Sequence, residues 1–561
     1  IGNNYTFFIF ANTTSDLSIG AITEKWNVTI NNLTGIAPPT VTLRYPVHAG
    51  EYGSAVTELN YTVVGQNLSV CWYSIDGGAT NSSYVDYGIN FTGLSSVVGS
   101  NTWTVYCNLT NNTIGSGSAV FSIDVDSPLI NFTSPTLASG VTTLDNFAIT
   151  NVSIVESDLS SLIYNWNGTN YTMFNDSIVV MMNFDNRSAL SESDNQVADI
   201  GLNTNNGTGS GVVLNTSCVY GNCFLYGGDG DHIDMGSITA LQSASSFTVS
   251  FWAWDDDYSA NACAFAIRDG TDASNLFSFY PYESFGGNGV RIWYDGVSLI
   301  NEDDATRTGW NHFVFVSRNA TDHELYVNGV SEGTSSTSKD LPASIDNVYL
   351  GMWYTGSDQY FDGFLDEFVL LDYGLTDEEV SQLYFTNLYK VNSTLWGLYV
   401  NQSKDGTSAL DDANYSYQVY ADDSFGNLNM TEQRSITIQG NTAPTIVMNY
   451  PSNNSLFSNV ESLLLNATVY DVDTGLNNLT VWFYGGNASG TYSLLNTSYN
   501  QTNGTTLSYS WEISDAGAYN WTVIVNDERT NTSTIQFFNL STLNFTCNVG
   551  GPYQQGALVL V

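Results

Sequence analysis

The sequence predicts an all-β chain built from tandem sandwiches, and three observations predict it. Aromatic residues reach 14% of 561, with 35 Tyr, while Pro numbers only 10. Thr, Val, Ile, Tyr and Asn fill short alternating runs between polar turns, a composition suited to strands and not to helices. Two strand signatures also recur along the chain at the spacing of one small domain. A chain of this length exceeds a single core and fits about three to five domains.

The first signature is a proline, an alternating strand and a second proline seven positions on. It runs from Pro39 to Pro46, Pro128 to Pro135 and Pro444 to Pro451. Proline at both ends of a short strand suits an edge strand that opens a domain. The second signature alternates an aromatic, an aliphatic and a small or aliphatic residue, then Asn or Asp. It appears as Phe7-Ile9-Ala11-Asn12, Trp103-Val105-Cys107-Asn108, Tyr417-Val419-Ala421-Asp422 and Trp521-Val523-Val525-Asn526. Strict alternation puts the three apolar residues on one buried face, and the polar residue begins a turn.

Successive copies of the second signature lie about 96, 314 and 104 residues apart. Removing about 209 residues from the middle interval makes all three roughly 100, the size of an immunoglobulin-like sandwich. The spacing predicts closing strands of one such domain at 1–36 and a complete one at 37–125. A split domain comes next at 126–177 and 387–441, around an insert at 178–386. Another sandwich is expected at 442–540, and 541–561 starts a further β domain. Both ends read as cut from a longer polypeptide, with any signal peptide and membrane anchor outside it. The alternative is that the open ends complete one another between molecules as donated strands.

Net charge is −43, yet Asp plus Glu is 55 of 561, an ordinary share; Lys plus Arg, at 12, is the abnormal figure. The acidity comes from missing bases. Such a surface repels phosphate backbones, which excludes nucleic acid as a partner. No apolar run is long enough to span a bilayer as a helix.

Asparagine followed two residues later by Ser or Thr occurs about 34 times, more than twice what chance pairing gives. The sequons begin at Asn4, Asn12, Asn27, Asn32, Asn60, Asn67, Asn81, Asn90, Asn108, Asn111, Asn131, Asn151, Asn167, Asn170, Asn175, Asn186, Asn206 and Asn215. They continue at Asn319, Asn392, Asn401, Asn414, Asn429, Asn453, Asn466, Asn478, Asn487, Asn496, Asn500, Asn503, Asn520, Asn531, Asn539 and Asn544. Between Asn215 and Asn392 only Asn319 qualifies. The pattern predicts N-linked glycans and an extracellular, cell-surface location, with the insert kept bare for contact. Cysteine usage fits an oxidising compartment. Cys71 and Cys107 are spaced for a bridge across a sandwich, and Cys218 with Cys223 for a small loop. Cys263 reads as a buried free thiol, and Cys547 as pairing outside the chain.

The insert carries five ordered segments: 179–186 (VVMMNFDN), 224–236 (FLYGGDGDHIDMG), 246–254 (SFTVSFWAW), 309–330 with its Trp-x-His and Tyr-x-Asn-Gly, and 360–384. In this order they resemble the laminin-G-like, concanavalin A-type jelly roll. The resemblance implies two curved antiparallel sheets packed face to face. Independently, Asn328-Gly329 favours a tight hairpin, and Thr376-Asp377-Glu378-Glu379 is a capping box before Val380, Leu383 and Tyr384. Dense sequons, a split sandwich and such an insert are together similar to large surface proteins of archaea.

That superfamily includes glucanases, which carry Glu-x-Asp-x-Glu or Glu-x-Asp-x-x-Glu on one strand, with two carboxylates on one face for the acid and nucleophile roles. The closing strand here, Leu365-Asp366-Glu367-Phe368, lacks the pattern. The four His form no zinc-ligand pair and there is no Gly-x-Ser-x-Gly, so no enzyme is expected. In the resembling fold, Asp229, Asp231 and Asp234 lie near Asp362 and Asp366, hard oxygens suited to calcium; solvated loop carboxylates are the plain alternative. Asp255, Asp256 and Asp257 read as a loop tip, and Asp471 and Asp473 as turn formers. Trp293, Tyr294, Trp353 and Tyr354 could stack on sugar rings or simply pack in the sheet. Two functions fit these features. One is adhesion, in which the insert binds glycans or surface proteins of neighbouring cells. The other is a structural subunit of an extracellular filament or surface layer, with copies of itself as partners.

Overall fold

The computed structural model describes residues 3–8, 25–30, 37–255, 262–270, 276–283, 289–303, 308–354, 359–402, 409–473, 475, 478–487, 491–513 and 515–541. For 3–8 and 25–30 it describes the backbone alone. The side chains of Asn4, Phe7 and Asn27 therefore lie outside the described residues, as do Ile9, Ala11, Asn12, Asn32, Asp256, Asp257, Asn544 and Cys547. The fold is all-β. One α-helix, Asp377–Phe385, and two short 3-10 turns are its helical elements among the described residues. No helix is long and apolar enough to cross a membrane. The chain divides into two compact units, residues 1–129 with 155–161 and 421–429, and the remainder.

In the first unit, strands Thr40–Tyr45, Glu58–Val64 and Phe91–Thr92 form one sheet. Glu51–Tyr52, Ile114–Ile123, Gly99–Leu109, Leu68–Ser74 and Val85–Asp86, in that order, form another. The alternating signature supplies the core between them: Trp103, Val105 and Cys107 are fully buried, and Phe121 meets the Trp103 ring edge-on at 5.2 Å. Cys71 and Cys107 are bonded, but not across the sandwich. They are directly paired residues of adjacent strands in one sheet, with Cα atoms 4.1 Å apart. Both alternate inward, so the bridge lies on the core face of a single sheet.

The second unit holds the strands that flank the insert. Leu129–Thr133, Ala148–Val155, Leu395–Val400 and Thr386–Lys390 form one sheet, so strands on either side of the insert become neighbours. A second sheet orders Val141–Thr143, Arg434–Ile438, Asn414–Asp423, Leu159–Trp166 and Thr169–Phe174. Trp166 stacks on Tyr415 at 5.3 Å, and Val419 of the same strand as Tyr415 is fully buried. The last sandwich repeats the plan, with Trp521, Val523 and Val525 fully buried in Gly517–Asn526. In all three copies of the proline signature the peptide bond before the second proline is cis: Tyr45-Pro46, Ser134-Pro135 and Tyr450-Pro451.

The insert is two large antiparallel sheets. An eight-stranded sheet includes Cys223–Gly227, Asp362–Leu371, Phe247–Trp254, Asn311–Asn319 and Asp322–Val327. A seven-stranded sheet orders Thr208–Ser210, His232–Asp234, Asn347–Leu350, Phe265–Arg268, Leu276–Glu283, Gly289–Tyr294 and Val297–Asp303. Period-two alternation sends Phe247, Val249 and Phe251 inward against Phe277, Phe279, Phe313 and Phe315. Asn328 and Gly329 both have positive φ, 53° and 77°, closing the hairpin into Val330–Ser335. The helix begins with a complete capping box: Glu379 N–H donates to Thr376 Oγ1 and Thr376 N–H to Glu379 Oε2. Its buried face is Val380, Gln382 and Phe385, whereas Leu383 and Tyr384 stay half-buried. Thr376→Ala is expected to cost about 1 kcal/mol, read as a shift of the insert's urea midpoint.

Candidate functional site

The outer face of the insert's seven-stranded sheet gathers an aromatic and guanidinium patch. On Leu276–Glu283, Phe277 and Phe279 point into the core, which leaves Ser278 and Tyr280 outward. On Gly289–Tyr294 the same alternation turns Arg291 and Trp293 outward. Register pairs Ser278 with Trp293 and Tyr280 with Arg291. Trp353 and Tyr354 come just after Asn347–Leu350 and join the same face, their rings edge-on at 4.8 Å. The Arg291 guanidinium lies 4.7 Å from the Tyr280 ring centre and 5.3 Å from that of Trp293, and Arg268 lies 4.4 Å over Tyr354. Tyr280 hydroxyl donates to Gln359 Oε1 at 2.6 Å, holding the patch floor. Trp293, Trp353, Tyr354 and Arg291 are half-buried and keep part of their surface open. Among the described residues, Trp353 Nε1 and the buried Ser278 hydroxyl have no hydrogen-bond partner.

Of the four aromatics singled out in the sequence, three share this face and one does not. Tyr294 is inward on its strand, 2% exposed, with its ring 5.7 Å from Phe277. A one-residue step along a strand reverses the face, so Trp293 and its neighbour cannot both be platforms. Tyr280 and the two arginines were not singled out, although their alternation with Phe277, Phe279 and Ile292 is legible. Cys263 is a buried free thiol beneath the patch, and burial pushes it up to about 12, which leaves it inert as a nucleophile.

On the outer side of the other sheet a cavity of about 340 Å³ opens. The helix and the strand Thr169–Phe174 complete its walls, with Tyr171, Phe174, Trp252, Tyr373, His312 and Glu367 among the lining. His312 Nε2 shares a 2.8 Å hydrogen bond with Ser250 Oγ, and burial pushes its imidazole down to about 3. Beside it Glu367 adopts left-handed backbone, φ 50°, where the register to Phe247–Trp254 slips. Its carboxylate accepts from Asn183 Nδ2 at 2.5 Å and Asn387 Nδ2 at 2.8 Å, tying the insert's first strand to the returning strand Thr386–Lys390. Asp366 accepts the Tyr220 N–H at 3.2 Å. Burial raises both carboxyls well above the ordinary range; Glu367 adds to this for Asp366, and Asp185 for Glu367.

The five carboxylates expected to bind calcium do not converge. Among the described residues, no three of Asp229, Asp231, Asp234, Asp362 and Asp366 bring their oxygens within 4.8 Å of one another. Asp231 Oδ2 is taken by the Gly227 N–H and Asp234 Oδ1 by the Gly236 N–H, both at 2.7 Å. Asp362 and Asp366 stand four residues apart on one extended strand, about 13 Å, too far to share an ion. Asp366 is instead wholly buried against Tyr220. Asp255 is buried, 2% exposed, and not at an exposed loop tip. Asp471 and Asp473 are buried as well, with Asp473 N–H donating to Asp471 Oδ1.

Among the described sequon asparagines only Asn151 is buried. It lies on Ala148–Val155 on the face opposite the buried Val152 and Ile154, covered by Tyr389, whose hydroxyl donates to its Oδ1 at 3.0 Å. Cys218 and Cys223 are bonded and close a small loop. The seven strands of the patch-bearing sheet contain no sequon asparagine, although Asn206 lies two residues before the edge strand Thr208–Ser210, and Asn319 is exposed on the other sheet.

The family described as the Concanavalin A-like lectin/glucanases superfamily matches residues 227–381. No curated protein matches the chain. Among solved structures, domain 4 of a GH43 extracellular arabinanase from Geobacillus stearothermophilus, in complex with arabinotriose, is 20% identical. The match covers 37% of this chain and 98% of that one, with a TM-score of 0.31. The binding domain of Paraclostridial Mosquitocidal Protein 1 is 15% identical over 37% of this chain and 52% of that one, TM-score 0.26. Fibronectin(III)-like modules of Clostridium thermocellum CbhA are 19% identical over 23% and 71%, TM-score 0.16. Within an all-β chain, residues 227–381 are thus similar to the concanavalin A-like lectins and glucanases.

Proposed function

We propose that the chain is an extracellular, heavily N-glycosylated, adhesin-like cell-surface protein whose laminin-G-like insert binds glycan at the Trp293 patch. One observation carries the reading. Trp293, Trp353 and Tyr354 converge with Arg291 on one sheet face whose strands carry no sequon asparagine, and the buried Arg268 backs the Tyr354 ring. Aromatic faces stack on the apolar side of a pyranose, and guanidinium groups donate to its hydroxyls or to a sugar carboxylate. In a chain with only 12 Lys and Arg, the part-open Arg291 on the patch favours acidic sugars. The similarity to lectins and glucanases supports the same substrate class. Binding without hydrolysis is the role assigned, since among the described residues the patch offers stacking surface and an arginine but no carboxylate pair.

A glycan array probed with the purified chain tests this. Wild type is expected to select a sugar class, and Trp293→Ala with Trp353→Ala to weaken it about thirtyfold, equivalent to about 2 kcal/mol. Undiminished binding by the double variant would remove the patch from the account. Mass spectrometry of native material is expected to find hexose additions at exposed sequons and none at Asn151; bare asparagines throughout would end the glycoprotein reading.

A further inference from the structure

The outer face of the insert's eight-stranded sheet does not meet water as an outer face normally does. Phe247, Val249 and Phe251 face the core, which turns Ser250 and Trp252 outward, and alternation turns His312 outward beside them. On Asp362–Leu371, Phe368 and Leu370 face the core, so Val369 and Leu371 join the outer face. All five outward residues are buried, because the helix and the strand Thr169–Phe174 roof them. The roof is incomplete. Glu378 and Glu379 of the helix and Thr169, Asn170 and Thr172 of the strand line the cavity yet are exposed, and they mark its mouth. The space of about 340 Å³ behind them is the size of a small-molecule pocket and far larger than the voids a packed core tolerates.

The lining has a definite chemistry. Phe174, Tyr220, Trp252, Tyr373, Leu375 and Leu383 give it aromatic and aliphatic walls. Its acidic side chains are Glu367, Glu378 and Glu379, and among the described residues no Lys or Arg lines it. His312 supplies no positive charge, since burial pushes its imidazole down to about 3. An anionic ligand would therefore meet no countercharge. Two further polar groups on the lining are unanswered among the described residues. Gln382, 6% exposed, has Oε1 sealed from solvent without a donor, and His312, 2% exposed, has Nδ1 without a partner. Buried polar atoms are ordinarily paired, so both point to an occupant that brings hydrogen-bonding groups of its own. Glu367 is the buried one of the three acids. Each of its oxygens accepts from one amide, Asn183 or Asn387, and has a lone pair to spare. No ion pair reaches it among the described residues.

We propose that this cavity binds a small organic amine, with the ammonium seated at Glu367 and an aromatic or aliphatic body packed against the walls. The site is separate from the Trp293 patch, which lies on the seven-stranded sheet. Burial of the apolar body supplies affinity. The charge-assisted contact selects amines over alcohols and acids of the same shape. An ammonium is also the positive neighbour that burial and the nearby Asp185 and Glu192 otherwise deny this carboxyl.

Calorimetry of the full chain with phenethylamine at neutral pH, where the amine is protonated, tests the proposal. Wild type is expected to bind one equivalent with a submillimolar dissociation constant. The neutral 2-phenylethanol and the anionic phenylacetate are expected to bind about tenfold more weakly or worse. Glu367→Gln is expected to bring phenethylamine down to the level of 2-phenylethanol. Leu383→Trp fills the cavity and is expected to abolish binding of the amine, with the urea midpoint reporting that the insert stays folded. Wild type that binds no phenethylamine at millimolar concentration would overturn the proposal. So would undiminished affinity in Glu367→Gln or in folded Leu383→Trp, or phenylacetate that binds as tightly as the amine.

Discussion

Glu367→Ala is expected to destabilise the insert by about 3 kcal/mol, because two buried amides lose their shared acceptor at once. Asn183 and Asn387 are 3% and 7% exposed, so the protein offers both amides little besides this carboxylate. The truncation also removes a side chain from the wall of the adjoining cavity. Glu367→Gln is expected to cost far less, since Asn183 Oδ1 has no partner among the described residues and can accept from the new amide. Chemical denaturation separates the two variants. The pH dependence comes from the raised carboxyls of Asp366 and Glu367. The folded state keeps protons that the unfolded chain releases above about pH 4, so the pair's contribution is full below that point and is lost as pH rises towards the folded values. The urea midpoint of wild type is therefore expected to fall from pH 4.5 to 7.5 more steeply than that of Glu367→Gln. Parallel slopes would show that Glu367 does not titrate in that window.

Replacing both Cys71 and Cys107 by alanine is expected to cost the first sandwich about 4 kcal/mol. The bridge closes a separation of 36 residues, for which chain-entropy loss in the unfolded state predicts this magnitude. Both cysteines are fully buried, so the alanines also leave a void beside Val105. The effect should be confined to the first sandwich, leaving the insert's unfolding transition in place. Differential scanning calorimetry reads this directly, and a shift of every transition together would show that the sandwich does not unfold by itself. The bridge between Cys218 and Cys223 closes a much shorter loop, and its removal is expected to cost less.

Much of the fold was legible in the sequence because alternation and turn chemistry are local. Trp103-Val105-Cys107 and Trp521-Val523-Val525 each read as one inward face, and both triplets are fully buried. Asn328-Gly329 and the Thr376 capping box were legible for the same reason, since each motif satisfies its own backbone within a few residues. The site was legible only in part. Trp293, Trp353 and Tyr354 carried a signal as aromatics, but placing Tyr294 with them ignored the period of two. Glu367 gave little sign beyond sitting beside Asp366 in an otherwise apolar strand, because its partners Asn183 and Asn387 lie on distant strands.

The sequence by itself determined that this chain is all-β, where its strands alternate, and which asparagines can be glycosylated in principle. Only the tertiary structure decided which groups meet. It separated Asp362 from Asp366 along a strand and buried Asn151 under Tyr389. It set Arg291 beside Trp293, and it walled the cavity at Glu367 with the helix and the strand Thr169–Phe174, which are remote in sequence. The physical reason is range. Strand pattern depends on residues two apart, whereas charge balance and ligand geometry depend on register between strands remote in sequence, which is fixed only when the sheets assemble.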